Sequence, residues 1–178
     1  LSKLREAVPG LADAGCVWWP SSSSHIAHAE TGEDLTGLRG QRVCIGVQDA
    51  ADIPRAGKAI VTALWAAGLG HIEVGCAGQM LERTLIDASV WQTNRLDFAA
   101  GAQCDAPLRQ ERGRPVVMEG PLLDTRAAIP DPSPEQEAQA EAIKQAARAL
   151  VKDDADHIRH EYIERRAVEI AGEDASAE

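Results

Sequence analysis

The residues of this chain best suited to chemistry lie at 18–30, "WWPSSSSHIAHAE", where Ser21, Ser22, Ser23, Ser24 and His25 follow two tryptophans and a proline. Hydroxyls, backbone N–H groups and an imidazole held at the end of a strand make a donor set suited to an anion such as a triphosphate. A flexible polar loop is the plainer reading of the same residues. In "DDADHIRHE", Asp153, His157, His160 and Glu161 recur at helical spacings that place several of them on one face, as a metal site requires. No H-E-x-x-H order is present there, and an exposed amphipathic helix with incidental histidines is the favoured reading. His25 and His28 stand at H-x-x-H spacing in a loop, where histidines are usually not ligands. Arg109, Arg112 and Arg114 in "LRQERGRP" are the best candidates for a basic groove, weighed against ordinary solvated loop charge.

A chain of 178 residues suits one domain of ordinary size, or a domain fragment with an appendage. Hydrophobic residues at 44% and charged residues at 26% are the balance of a soluble globular protein, and no apolar run approaches a membrane span. Aromatic residues are only 3%, so Ala, Leu, Ile and Val must build the core and stacking platforms for bases are scarce. Cys16, Cys44, Cys76 and Cys104 lie far apart with no C-x-x-C pair, and the start of the chain has no signal-peptide pattern. Reduced thiols and a cytoplasmic location are therefore expected. The net charge of -10 is uneven: residues 1–130 carry 12 Lys and Arg against 15 Asp and Glu, and residues 131–178 carry 6 against 13. A near-neutral region is thus followed by an acidic one.

Periodicity and turn chemistry predict the elements that must position these groups. "SKLREAV" reads as a short helix stopped by Pro9 and Gly10, and "GCVWWP" as a strand ending at Pro20, which has no N–H for a ladder. The serines therefore begin where a strand ends. "QRVCIGV" places Val43, Ile45 and Val47 on one strand face, after a polar, glycine-bearing loop or hairpin, "TGEDLTGLRG". From Asp52 a helix is expected, with Asp52 as cap, Pro54 in the first turn, Ile53, Ile60, Leu64 and Ala67 as its apolar stripe, and Gly68 or Gly70 as its stop. "HIEVG" and "RPVVMEG" read as strands, and "LERTLIDASVW" as a segment beside one. After Pro130, Ser133, Pro134 and Gln136 form a capping-box pattern that opens a helix with Ile143, Ala147, Leu150 and Val151 as its stripe. A second helix follows, with Ile158, Tyr162 and Val168 buried, and then a disordered tail, "AGEDASAE". The fold class expected is α/β or α+β: a mixed sheet with packed helices over 1–130, and a helical C-terminal appendage over 131–178.

Standard nucleotide and hydrolase motifs fail. "GLGHIEVG" follows a helix and enters a strand, the reverse of a Rossmann phosphate loop, and neither G-x-x-x-x-G-K-[ST] nor G-x-S-x-G occurs. A combination of words carries more. "PSSSSHI" at a strand end, followed after a strand, a helix and another strand by "GCAGQMLERTLIDASVWQTNRLDFAAGA", resembles the primase-polymerases of the archaeo-eukaryotic primase superfamily, in the branch fused to helicases in phage and plasmid replication proteins. The resemblance spans about residues 1–130 and is most specific at 19–28 and 78–103. It implies that sheet-and-helix architecture, with the family's Ser-x-His motif mapping onto Ser23, Ser24 and His25 as nucleotide-phosphate contacts. It also implies a metal-binding carboxylate at Asp87, in "TLID", and Mg²⁺ or Mn²⁺ as cofactor. Ser23 and His25 would then be donors to the triphosphate. Arg83 would either neutralise phosphate or pair with Asp87 or Glu82. Taken singly, Asp87 is an ordinary cap and His25 a loop residue.

The family's D-x-D acids should precede the Ser-x-His element, and no such pair lies before Pro20; Asp154 and Asp156 come too late and in helical sequence. With a first residue that is Leu1, an N-terminally truncated catalytic domain is the expectation, and this piece alone is expected not to extend primers. The leading functional expectation is a DNA primase and polymerase, a nucleotidyltransferase acting on nucleoside triphosphates and a single-stranded DNA template, with a helicase domain or subunit as partner and no membrane. The alternative is a non-catalytic replication module that binds nucleotide or DNA and docks a helicase. A metal-dependent hydrolase built on His157 and His160 is remote. Trp91, near Asp87, is read as core more readily than as a base-stacking ring.

Overall fold

β-branched and aromatic residues followed by a proline make "CVWWP" a strand with a sharp end, and a computed structural model of the chain places β1 at Cys16–Pro20. The structure describes residues 1–92 and 99–175. It divides into two compact units, Leu1–Ala56 with Ser89–Pro130, and Gly57–Ala88 with Asp131–Glu178. This differs from the expected boundary at 130, because the segment from 57 to 88 takes its core partners from the helices that follow Pro130. Within "LERTLIDASVWQTNRLDFAAGA", residues 93–98 lie outside the described residues.

In the first unit, helix α1 (Ser2–Ala7) and a 3-10 turn (Pro9–Leu11) precede β1. Strand β1 pairs antiparallel with β3 (Gln41–Ile45) on one side and β7 (Val116–Met118) on the other. Two strands that have no periodic signal, β2 (Ile26–His28) and β6 (Leu108–Gln110), pair with each other across the chain. Val8, Leu11, Ala14, Cys16, Ala27, Leu123 and Ile129 are buried. Helix α2 (Ile53–Ala66) starts in this unit, and α3 (Thr125–Ala128) closes it.

Asp52, expected as a cap for α2, does something else. Asp49 caps the 3-10 turn at Ala50–Asp52 by accepting from the Ala51 N–H. The Asp52 carboxylate is only 2% exposed and accepts from Arg55 Nε and Nη2, each at 2.7 Å, and from Thr125 Oγ1 at 2.6 Å. Arg55 in turn donates to the Ile129 and Thr125 carbonyls, so one buried ion pair ties the start of α2 to α3. The Arg55 guanidinium, and then the Thr125 hydroxyl, hold the Asp52 carboxyl far below the usual carboxylate range. A depressed folded-state pKa stabilises above the unfolded value and stops doing so as pH falls through the folded one. Urea unfolding of wild type and Asp52→Asn should therefore show a stability gap that is full above about pH 4 and narrows in more acidic buffer. A gap independent of pH would contradict this assignment.

The second unit holds most of α2, the hairpin β4 (Gly70–Val74) and β5 (Met80–Thr84), and the helices α4 (Pro134–Leu150) and α5 (Lys152–Ala175). Gly68, at φ 70°, ends α2: the Leu69 N–H reaches the Leu64 carbonyl and the Gly68 N–H reaches Trp65, the paired bonds of a Schellman stop. The Ser133–Gln136 capping box forms as its sequence predicts. Trp65, Ile72 and Ala140 make the core, with Val61, Met80, Ile143, Ala147 and Val151 packed on it.

Several expectations need correction. Among the described residues the strands form three antiparallel sheets rather than one mixed sheet, and the parallel contact is an isolated bridge between Val47 and Leu123. Each sheet is made by its own antiparallel pairings, β3 with β1 and β7, β2 with β6, and β4 with β5. The stripe on α2 runs through Ala56, Ala59, Leu64 and Trp65, whereas Ala67 is exposed beyond the helix end. Leu150 is 86% and Val168 74% exposed, since α5 begins immediately after Val151 and its distal part extends past the packed core. Residues 171–175, expected as disordered tail, continue α5, and 176–178 lie outside the described residues. All four cysteines are free thiols. Among the described residues no helix is long and apolar enough to cross a membrane.

Candidate functional site

Pro20 ends β1, and the chain turns back over Ser21–Ser24, with the Ser24 N–H bonded to the Ser21 carbonyl. The loop at 31–40 closes on this turn from one side. The Gly40 carbonyl accepts from the Ser21 N–H at 2.8 Å and from Ser24 Oγ at 3.2 Å, and Ser24 Oγ accepts from the Arg39 N–H at 3.0 Å. Ser24 is 0% exposed, so its hydroxyl braces two loops rather than facing solvent. Ser23 is exposed, with its Oγ 3.1 Å from Ser21 Oγ.

His25 occupies the left-handed region at φ 54°, which residues with side chains seldom adopt. Two bonds hold it there: its N–H donates to the Gly37 carbonyl and its own carbonyl accepts from the Glu111 N–H, both at 2.8 Å. Its Nδ1 lies 2.7 Å from Asp34 Oδ2, while Asp34 Oδ1 accepts from the Thr36 and Gly37 amides. The Nδ1–H of His25, and then these two amides, hold the Asp34 carboxyl below its usual range. Among the described residues His25 Nε2 has no hydrogen-bond partner. Sequence reasoning missed Asp34, because nothing local in "TGEDLTG" says that its carboxylate meets an imidazole nine residues earlier.

Strand β6 brings the arginine segment to the same place. Gln110 sits opposite Ile26, and its Nε2 donates to the Ser22 and Ser24 carbonyls at 2.8 and 2.9 Å, while its Oε1 accepts from the Ala102 N–H. Arg112 donates to the Pro20 carbonyl at 3.3 Å and the Ala99 carbonyl at 3.0 Å. Arg109 pairs with Glu111 at 2.6 Å, and Arg114 is exposed. The serine turn, His25 and Arg112 therefore meet in the first unit, with Gln110, which sequence reasoning did not single out, bonded to the turn, while Arg109, the strand neighbour of Gln110, pairs with Glu111.

Comparison of the chain with protein-family models, characterised proteins and solved structures gives no match.

The remaining candidates lie in the second unit. Asp87 is exposed, just after β5. Arg83 pairs across the hairpin with Glu73 at 2.6 Å, which lowers the Glu73 pKa. Glu82 takes Lys144 at 3.1 Å and Arg148 at 2.6 Å. The expectation that Arg83 would serve Asp87 or Glu82 is thus replaced by a cross-strand pair with Glu73. Neither unit by itself contains both His25 and Asp87. On α5, His157 pairs with Glu161 at 3.4 Å and His160 with Glu164 at 3.2 Å, all exposed, and the His28 ring accepts from the Thr31 N–H. Among the described residues no group of three or more His, Cys, Asp or Glu side chains converges as a metal site.

Proposed function

We propose that the first unit binds the triphosphate of a nucleoside triphosphate, as part of a DNA primase and polymerase of the archaeo-eukaryotic primase type. The observation that carries this reading is the convergence of the exposed Ser23 hydroxyl, His25 and the segment bearing Arg109 and Arg112 on one turn. Hydroxyl and imidazole donors held by a rigid backbone suit phosphate oxygens, and the nearby arginines suit the phosphates of a single-stranded DNA template. Ser24 contributes by bracing the turn. Asp87 as a metal ligand, Arg83 as a phosphate contact, the nucleotidyl transfer itself and a helicase partner rest on the sequence resemblance. A second reading is a nucleotide- or DNA-binding replication module without catalysis, which the same serine turn, His25 and arginine segment would serve.

Calorimetric titration of a nucleoside triphosphate with Mn²⁺ tests both. His25→Ala should weaken binding about tenfold or more, the worth of one hydrogen bond to a charged group. Asp87→Ala should weaken it too if the enzyme reading holds, and should leave it unchanged if the chain is a binding module. Loss of the proposal would follow from a wild-type chain that binds no triphosphate, or from a folded His25→Ala variant with full affinity.

A further inference from the structure

We propose that Asp34 is the positioning residue for His25, selecting the imidazole tautomer so that Nε2 carries a proton only when the ring is charged. An ionised carboxylate only accepts hydrogen bonds, so the 2.7 Å contact requires the proton on Nδ1. In the neutral ring Nε2 then presents a lone pair, which repels an anion. In the charged ring it presents an N–H, which binds one. Resting on the reading of His25 as a phosphate donor, this makes triphosphate recognition conditional on imidazole protonation.

The geometry around Asp34 makes the inference testable with one atom. Oδ1 is committed to two backbone donors, the Thr36 N–H at 3.2 Å and the Gly37 N–H at 2.9 Å. In Asp34→Asn the side-chain carbonyl must stay with those two amides, so the NH₂ group takes the place of Oδ2 and donates to His25 Nδ1. The turn survives, and the neutral ring is driven to the opposite tautomer, with its proton on Nε2. The left-handed backbone of His25, fixed by Gly37 and Glu111, keeps the ring in reach of residue 34 in both proteins. The charged residues of the elements packed against it are Glu111, Arg109, Arg112 and Arg39. Glu111 pairs with Arg109, Arg112 is bound to the Pro20 and Ala99 carbonyls, and Arg39 meets the serine turn through its backbone N–H.

Two measurements on the full chain decide the matter. Nitrogen-15 spectra of the imidazole, assigned against His25→Ala, should show the neutral ring protonated at Nδ1 in wild type and at Nε2 in Asp34→Asn. Calorimetry with inorganic tripolyphosphate, from about pH 5 to about pH 9, spans the range in which a histidine changes charge. Toward alkaline pH both proteins lose the charge of the ring, but only the wild type also loses the Nε2–H donor, so its affinity should fall about tenfold further than that of Asp34→Asn. The same tautomer in both proteins overturns the positioning role, as does an equal pH dependence of binding. A tautomer switch without tripolyphosphate binding at any pH supports the role of Asp34 and overturns the phosphate reading of the site, so the two failures are distinguishable.

Discussion

Trp65→Ala is expected to destabilise the second unit by about 3–5 kcal/mol, the usual cost of deleting a buried tryptophan side chain. Trp65 is 0% exposed and sits between Ile72 of β4 and Ala140 of α4, with Val61, Met80, Ile143, Ala147 and Val151 around it. Most of these neighbours are alanine, valine or isoleucine, so no large side chain is at hand to fill the cavity. The ammonium of Lys144 lies 5.7 Å from the ring centroid, and this attraction is lost as well. Because a typical domain has only about 5–15 kcal/mol to lose, the helices of this unit should melt early in urea, as followed by far-ultraviolet circular dichroism. The indole N–H is buried without a hydrogen-bond partner among the described residues, so Trp65→Phe, which keeps much of the ring, should cost distinctly less. A loss below about 1 kcal/mol for Trp65→Ala would show that this ring does not organise the core.

Gly10→Ala should cost about 3 kcal/mol in the first unit, at the upper end of ordinary overpacking. Gly10 lies in the 3-10 turn, and a Cβ there would run into the Ala128 backbone of α3, coming within 2.6 Å of its carbonyl carbon and colliding with its oxygen. The obstacle is main chain rather than the end of a flexible side chain. Helix α3 cannot retreat easily, because Asp124 caps its N-terminus and Asp52 and Arg55 hold Thr125 and Ile129. Faster hydrogen exchange in α1, α3 and their buried neighbours Val8, Leu11 and Ile129 should accompany the loss. Unchanged exchange and unchanged urea stability would contradict the close approach of the two segments.

These two sites show where sequence reasoning reaches and where it stops. The predicted stripe of α2 omits Trp65, because a 3.6-residue period admits a rotation of the buried face that only the partner settles, and here the partner is α4, about 75 residues further along the chain. Gly10 reads as part of the stop of α1, but the helix is already capped at Val8 and Gly10 lies inside the 3-10 turn that follows, where its contact with Ala128 has no local signature. The candidate site divides in the same way. Ser23 and His25 were identifiable as donors at a strand end, and Arg109 and Arg112 as a cationic segment, each from its own neighbourhood. Their meeting depends on the pairing of β2 with β6, three residues each, between segments with too little alternation to announce a strand.

By itself the sequence determined the features whose physics acts within a few residues: the end of β1 at Pro20, the alternating face of β3, the glycine stop at Gly68 and the Ser133–Gln136 capping box. Steric limits on proline and glycine, and hydrogen bonds over one helical turn, require no distant partner. Only the tertiary structure decided that Ser24 is buried as a brace, that Gln110 joins the serine turn to the arginine segment, and that Asp34 faces His25. It also decided that residues 57–88 share a core with the helices after Pro130. Each of these depends on which polar group or apolar face meets a partner far along the chain. That is settled by the mutual satisfaction of hydrogen bonds and burial across the folded unit, not by the residue types of either segment alone.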